Sequence, residues 1–155
     1  MDAVHKVFIS HASKNHALAD DIRRRLEDLK LPCWIAPRDI PPGSSYGGEI
    51  VSAIESCLAV VVVLTEEANA SRAVANELEL AFRNQRVIIP VRLKPVQPAT
   101  SLAFFVNNTQ WVDAFHTPLK ERVPELARLL EAIRAGSAPP SCLLYTSPSP
   151  RDQRG

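Results

Sequence analysis

Cysteine is scarce in this chain. There are three, Cys33, Cys57 and Cys142, with no CxxC pair among them. An odd, scattered set argues against a disulfide framework or a zinc site and for a reducing cytosolic setting. An excess of charge of either sign is also missing. Eighteen Lys and Arg against seventeen Asp and Glu leave a net charge of +1, so nothing electrostatic calls for nucleic acid or a membrane surface. The longest apolar run, Leu58–Leu64, is far too short to span a bilayer. Met1–Lys6 lacks the apolar core of a signal peptide. The four histidines, His5, His11, His16 and His116, fall into no HExxH, Ser/His/Asp or other metal or triad pattern. Gly43–Gly48 resembles a phosphate loop only superficially, because it has no lysine.

What is present is a scaffold for one domain. A chain of 155 residues, 46% of them hydrophobic, can bury a sizeable core. His5–Ser10 is short and β-rich, a first strand. Ser13 then reads as a helix N-cap, followed by Leu18, Ile22, Leu26 and Leu29 at spacings of four, four and three. Leu31–Ile35 is a second strand. It ends in Ala36–Tyr46, a loop stiffened by Pro37, Pro41 and Pro42 that still carries Arg38 and Asp39. Ile50, Ala53, Ile54 and Cys57 mark a second helix, opened by Gly47 and Gly48. Leu58–Leu64 is continuously apolar, as a central parallel strand covered on both faces must be. Ser71–Arg86 is a third helix with Val74, Leu78 and Phe82 inward. Val87–Val91 is a fourth strand, in which Pro90 suggests an edge or an early exit. A loop leads to a weak fifth strand at Thr109–Val112, and Leu119, Val123, Leu126, Leu130 and Ile133 give a last helix.

This alternation predicts an α/β fold, a flavodoxin-like doubly wound sheet of five parallel strands in the order 2-1-3-4-5. Ligands of such sheets bind beyond the carboxyl ends of the strands, here where the order switches between strands one and three. Ser10–Ser13, Ala36–Tyr46 and Thr65–Ser71 all fall on that rim. The domain is expected over residues 1–134. Residues 135–155 read as linker and tail, and residues 142–152 look like the translated readthrough of a sequencing adapter. On that reading a sensor or effector domain downstream is missing from this chain.

Three segments follow one another: Val7-Phe-Ile-Ser-His-Ala-Ser-Lys14, Cys33-Trp-Ile-Ala-Pro-Arg-Asp-Ile-Pro-Pro-Gly43 with Tyr46, and Ser71-Arg-Ala-Val-Ala-Asn-Glu77 with Ala81. In this order they are similar to a bacterial TIR (Toll/interleukin-1 receptor) domain, whose BB loop the second segment resembles. Val87–Val91 and Gln110–Ala114 extend the match. The resemblance implies one of two activities. Many bacterial and plant members cleave NAD⁺ to nicotinamide and ADP-ribose or a cyclised relative, in bacteria commonly for defence against phage. Many animal members are non-enzymatic adaptors that self-associate through the BB loop. The first is the reading adopted for this chain, a cytoplasmic enzyme with NAD⁺ as substrate, no cofactor and no metal, activated by self-association.

The resemblance places the catalytic carboxylate at Glu77. Nicotinamide leaves as a neutral molecule from a pyridinium, so no acid need protonate it. The demanding part is the cationic ribosyl centre, which a nearby carboxylate can stabilise. Glu79, about 200° further round the helix, is an internal control. Trp34 either stacks on a ring of the substrate or closes the second strand in the core. Arg38 and Asp39 either meet the diphosphate and a ribose or pair with each other. Tyr46 either walls the pocket or caps the next helix. Ser10, His11, Ala12 and Ser13 lead into the first helix, where free backbone N–H groups suit a phosphate. Many NAD⁺-cleaving relatives carry an aromatic residue four positions before the glutamate. Here that position is Ala73, which leaves rate and product type open.

Overall fold

The structure is a computed structural model that describes residues 5–136. The expected linker and tail from residue 137 onward therefore lie outside the described residues.

Five short strands are laid down in chain order: β1 (Val7–Ser10), β2 (Cys33–Trp34), β3 (Ala59–Val63), β4 (Ile88–Arg92) and β5 (Val112–Asp113). They form one sheet in the order β2-β1-β3-β4-β5, every pair parallel. The flavodoxin-like order expected from the sequence is the order observed. Successive side chains of a strand point to opposite faces, so each central strand feeds two cores. Val7, Ile9, Val61, Val63, Ile89 and Val91 meet α1 (His16–Asp28) and α6 (Leu119–Arg134) on one face. Phe8, Val60, Val62 and Ile88 meet the other face, covered by α2 (Tyr46–Ser56), α4 (Arg72–Arg83) and α5 (Thr100–Val106). A one-turn helix, α3 (Glu66–Asn69), precedes α4. Val60, Val61, Val62 and Val63 are all fully buried, which is why β3 carries no polar residue.

Several local expectations need correction. Ser13 does not cap a helix: it begins a 3₁₀ turn, Ser13–Asn15, makes no cap bond, and α1 starts only at His16. Helix α2 opens one residue before its glycines, at Tyr46, because Ser45 accepts from the Gly48 N–H at 3.2 Å and so caps it. Phe82 is not inward but 40% exposed, since the buried stripe of α4 runs through Val74, Leu78 and Ala81. Pro90 sits in an interior strand, not an edge. Val60 N–H donates to the Val87 carbonyl and Leu64 N–H to that of Val91, so positions 87 and 91 face β3 and position 90 faces β5. β5 pairs only from Val91 onward, so the missing N–H of Pro90 costs no ladder bond.

The stretch expected to be loop before the fifth strand contains α5, whose buried positions are just Leu102 and Val106. Its C-terminus explains why β5 starts late. Thr109 Oγ1 and Trp111 Nε1 both donate to the Val106 carbonyl, at 2.9 and 2.6 Å, closing the helix instead of extending a strand.

Candidate functional site

The site is built outward from the last residue of β1. Ser10 is fully buried, beside Val62 of β3, at the switch point of the sheet. A buried hydroxyl needs a partner. It finds one on α4, where Ser10 Oγ donates to Glu77 Oε1 across 2.8 Å. Helix α4 is directed there by its cap, Ser71 Oγ accepting from the Val74 N–H at 3.1 Å, and by Val74 and Leu78 seated in the core. Burial pushes the Glu77 carboxyl up to about 7, against the pull of the Ser10 hydroxyl in the opposite direction. A carboxyl whose pKa is raised by burial, at the switch point of a sheet, is a candidate for chemistry. Glu79, two residues on, is exposed.

His11 follows Ser10 and packs against His16, with ring nitrogens 3.3 Å apart. Its Nδ1 is buried without a hydrogen-bond partner. Burial and the neighbouring His16 lower its pKa, so the imidazole is neutral at physiological pH. Ala12 is buried and Ser13 is exposed on the 3₁₀ turn. Ala73, in the first turn of α4, is exposed.

The loop after β2 packs Ala36 and Ile40 against the core face that α4 covers, while its polar groups bond within the loop and to α1. Trp34 lies flat on Phe8, ring centroids 5.0 Å apart and planes within 10°, and is 9% exposed. It borders a cavity of about 240 Å³ whose walls include Lys6 and Cys57, residues just before β1 and β3, so that cavity opens at the opposite end of the strands from Ser10. Arg38 Nη2 donates to Asp39 Oδ2 at 2.7 Å, to the Cys33 carbonyl at 3.0 Å and to Glu27 Oε2 at 3.2 Å. Asp39 Oδ2 in turn accepts from the Ile35 N–H at 3.0 Å. Gly43, with φ +82°, supplies the left-handed turn that brings the chain back to α2. Tyr46 opens α2 and is 57% exposed. The structure thus joins Ser10 and Glu77, with His11 next in the chain. It holds Trp34, Arg38 and Asp39 in contacts of their own.

The rim also contains polar residues that the sequence did not single out as site residues. Thr65 Oγ1 donates to Asn15 Oδ1 at 2.6 Å and accepts from the Ala68 N–H at 2.9 Å. Asn15 Nδ2 reaches Glu67 Oε1 at 3.3 Å. The signal was Thr65-Glu66-Glu67 directly after an apolar run, which is how a helix start is written. Among the described residues no group of three or more His, Cys, Asp and Glu is placed to hold a metal ion, and no helix is long and apolar enough to cross a membrane.

The fold is thus a doubly wound parallel sheet with a half-buried carboxyl at its switch point. Residues 7–130 match the family model described as TIR domain, and the chain belongs to that family. Solved structures agree on the fold. The TIR domain of the Toll-related receptor TRR-2 of Hydra magnipapillata is similar at TM-score 0.67 and 21% identity, over 84% of this chain and 98% of that one. A TIR-STING receptor from C. gigas is similar at TM-score 0.63 and 20% identity, over 84% of this chain and 42% of that one. The TIR domains of the activated Roq1 resistosome are similar at TM-score 0.54 and 18% identity, over 83% and 81%. No curated protein matches the chain.

Proposed function

We propose that this TIR domain cleaves the bond between nicotinamide and ribose in NAD⁺, with Glu77 as the catalytic carboxylate. The products are nicotinamide and ADP-ribose or a cyclised form of it, made as a defence signal. The observation that carries this reading is the 2.8 Å bond from the buried Ser10 to a half-buried Glu77 at the switch point. Nicotinamide departs with the bonding pair and becomes neutral. Positive charge develops on the ribose carbon and ring oxygen, and ionised Glu77 is the group held ready to stabilise it. Water or an adenine nitrogen then adds to that carbon, and one proton is released. Ser10 fixes which carboxylate oxygen is free to face the sugar.

Assembly belongs to the same reading. Glu77 borders neither the 240 Å³ cavity nor a larger one of about 840 Å³ on the rim. A neighbouring copy supplying its loop over Glu77 would complete the cleft and exclude water. The non-enzymatic adaptor is the second reading. It rests on an exposed aromatic cluster, in which Phe104, 67% exposed, meets Phe82 edge-on with centroids 5.2 Å apart.

The deciding experiment is nicotinamide release from NAD⁺ by protein clustered on beads, repeated over a dilution series in free solution. Release that rises per molecule with concentration supports the assembled enzyme. No release from folded, clustered protein favours the adaptor.

A further inference from the structure

The larger cavity, about 840 Å³, opens at the carboxyl ends of β3 and β4, between residues 64–69 and 93–97, and reaches Asn15. Its size is that of a small-molecule site. Its walls are held by specific bonds. Asn69 Nδ2 donates to the Gln97 carbonyl and Asn69 Oδ1 accepts from the Ala99 N–H, both at 2.8 Å. Arg92 Nη1 donates to the Val96 carbonyl at 3.0 Å. Arg92 is itself clamped by two 2.7 Å bonds to Asp113, with Trp111 and Phe115 rings at 4.6 and 5.2 Å. A pocket whose walls are fixed before the ligand arrives spends less binding energy on ordering them.

The lining has a definite chemical character. Leu18, Leu93 and Val96 make an apolar surface, and Glu67 and Lys94 are exposed charges at its edge. The Glu67 carboxyl is held below its usual range by its own backbone N–H and by the Asn15 side chain, so it is an anionic acceptor at neutral pH. An apolar surface suits a flat base, a carboxylate suits the two hydroxyls of a ribose, and an ammonium suits a phosphate.

We propose that this cavity binds the adenosine monophosphate half of the dinucleotide, with the base over Leu93 and Val96, the ribose diol on Glu67 and the phosphate on Lys94. This inference rests on the NAD⁺ reading for the identity of the base. Ser10 and Asn15 are five residues apart, so the cavity edge lies within roughly 17 Å of the Glu77 partner, a span an extended dinucleotide bridges.

The test is isothermal titration of the full chain with AMP, alongside steady-state kinetics on NAD⁺. Wild type is expected to bind AMP more tightly than dAMP, because only AMP offers the diol. Lys94→Ala weakens AMP binding by about tenfold, the loss of one charge-assisted contact. Val96→Trp, which fills the cavity, abolishes it. In both variants KM for NAD⁺ rises while kcat is kept, because Glu77 is untouched. Lys94→Ala, a change to an exposed side chain, carries the test if Val96→Trp misfolds. Failure of wild type to bind AMP, or equal AMP affinity in the folded variants, overturns the site. An unchanged KM in an active enzyme overturns it and leaves the glycohydrolase standing. AMP binding lost in the variants while clustered wild type releases no nicotinamide keeps the site and removes the glycohydrolase.

Discussion

Ser10, the last residue of β1, donates its hydroxyl to Glu77 on α4 across 2.8 Å, joining positions 67 residues apart in the chain. The bond is part-buried, where an ionised carboxylate costs more and a hydrogen bond to it is stronger than in open water.

The folded Glu77 carboxyl titrates at about 7, above the ordinary 4.5. Below pH 4.5 the carboxyl is protonated whether folded or not and costs nothing. As pH rises from 4.5 through 7 the unfolded chain loses its proton first, so stability falls, then levels off. The gap corresponds to roughly 3 kcal/mol. Glu77→Gln is therefore expected to be more stable than wild type at pH 8 and similar to it at pH 4.5, by urea denaturation at both. A pH-independent difference would contradict the burial account.

Activity should run the other way. Only the ionised carboxylate stabilises the ribosyl cation, so nicotinamide release is expected to rise with pH through about 7. Ser10→Ala removes the bond that pulls the carboxyl down, and its profile should shift to higher pH. An unshifted profile would mean that Ser10 does not set the state of Glu77.

Trp34 lies against Phe8 and is 9% exposed. Trp34→Ala is expected to cost about 3–5 kcal/mol in urea denaturation, the range for a large buried aromatic. Trp34→Phe should recover most of that and leave KM for NAD⁺ unchanged. A raised KM at full stability would show instead that the ring contacts the substrate.

Glu27 ties the β2–α2 loop to α1 through Arg38. Burial pushes its carboxyl up, but Arg38 and Arg23 outweigh that and hold it below the usual range. Exposed pairs of this kind are worth about 1 kcal/mol or less. Glu27→Ala should therefore change global stability little while speeding hydrogen exchange over residues 38–46. Unchanged exchange there would mean that the prolines alone hold the loop.

Sheet order was legible in the sequence because the strands announce themselves. Val60–Val63 admits no polar residue and so must be central, and Leu18, Ile22 and Leu26 are spaced as one helix face. Helix α5 was not legible, since two buried positions make no period. The error at Phe82 follows from it, because the ring rests on Phe104 and Phe105 of that helix. Glu77 could be named in advance only through the family resemblance, and nothing local signals that Ser10 meets it. Thr65–Ser71 could be placed on the rim, but not against Asn15, which is 50 residues from Thr65, so the cavity between them was not legible.

The role proposed for Glu77 is decided by nicotinamide release from NAD⁺ on clustered wild type, Glu77→Ala and Glu79→Ala. The expected result is a loss on the order of a thousandfold in Glu77→Ala, the cost of one preorganised charge-stabilising group, and full activity in Glu79→Ala. Undiminished release by folded Glu77→Ala, or loss in Glu79→Ala alone, would contradict it.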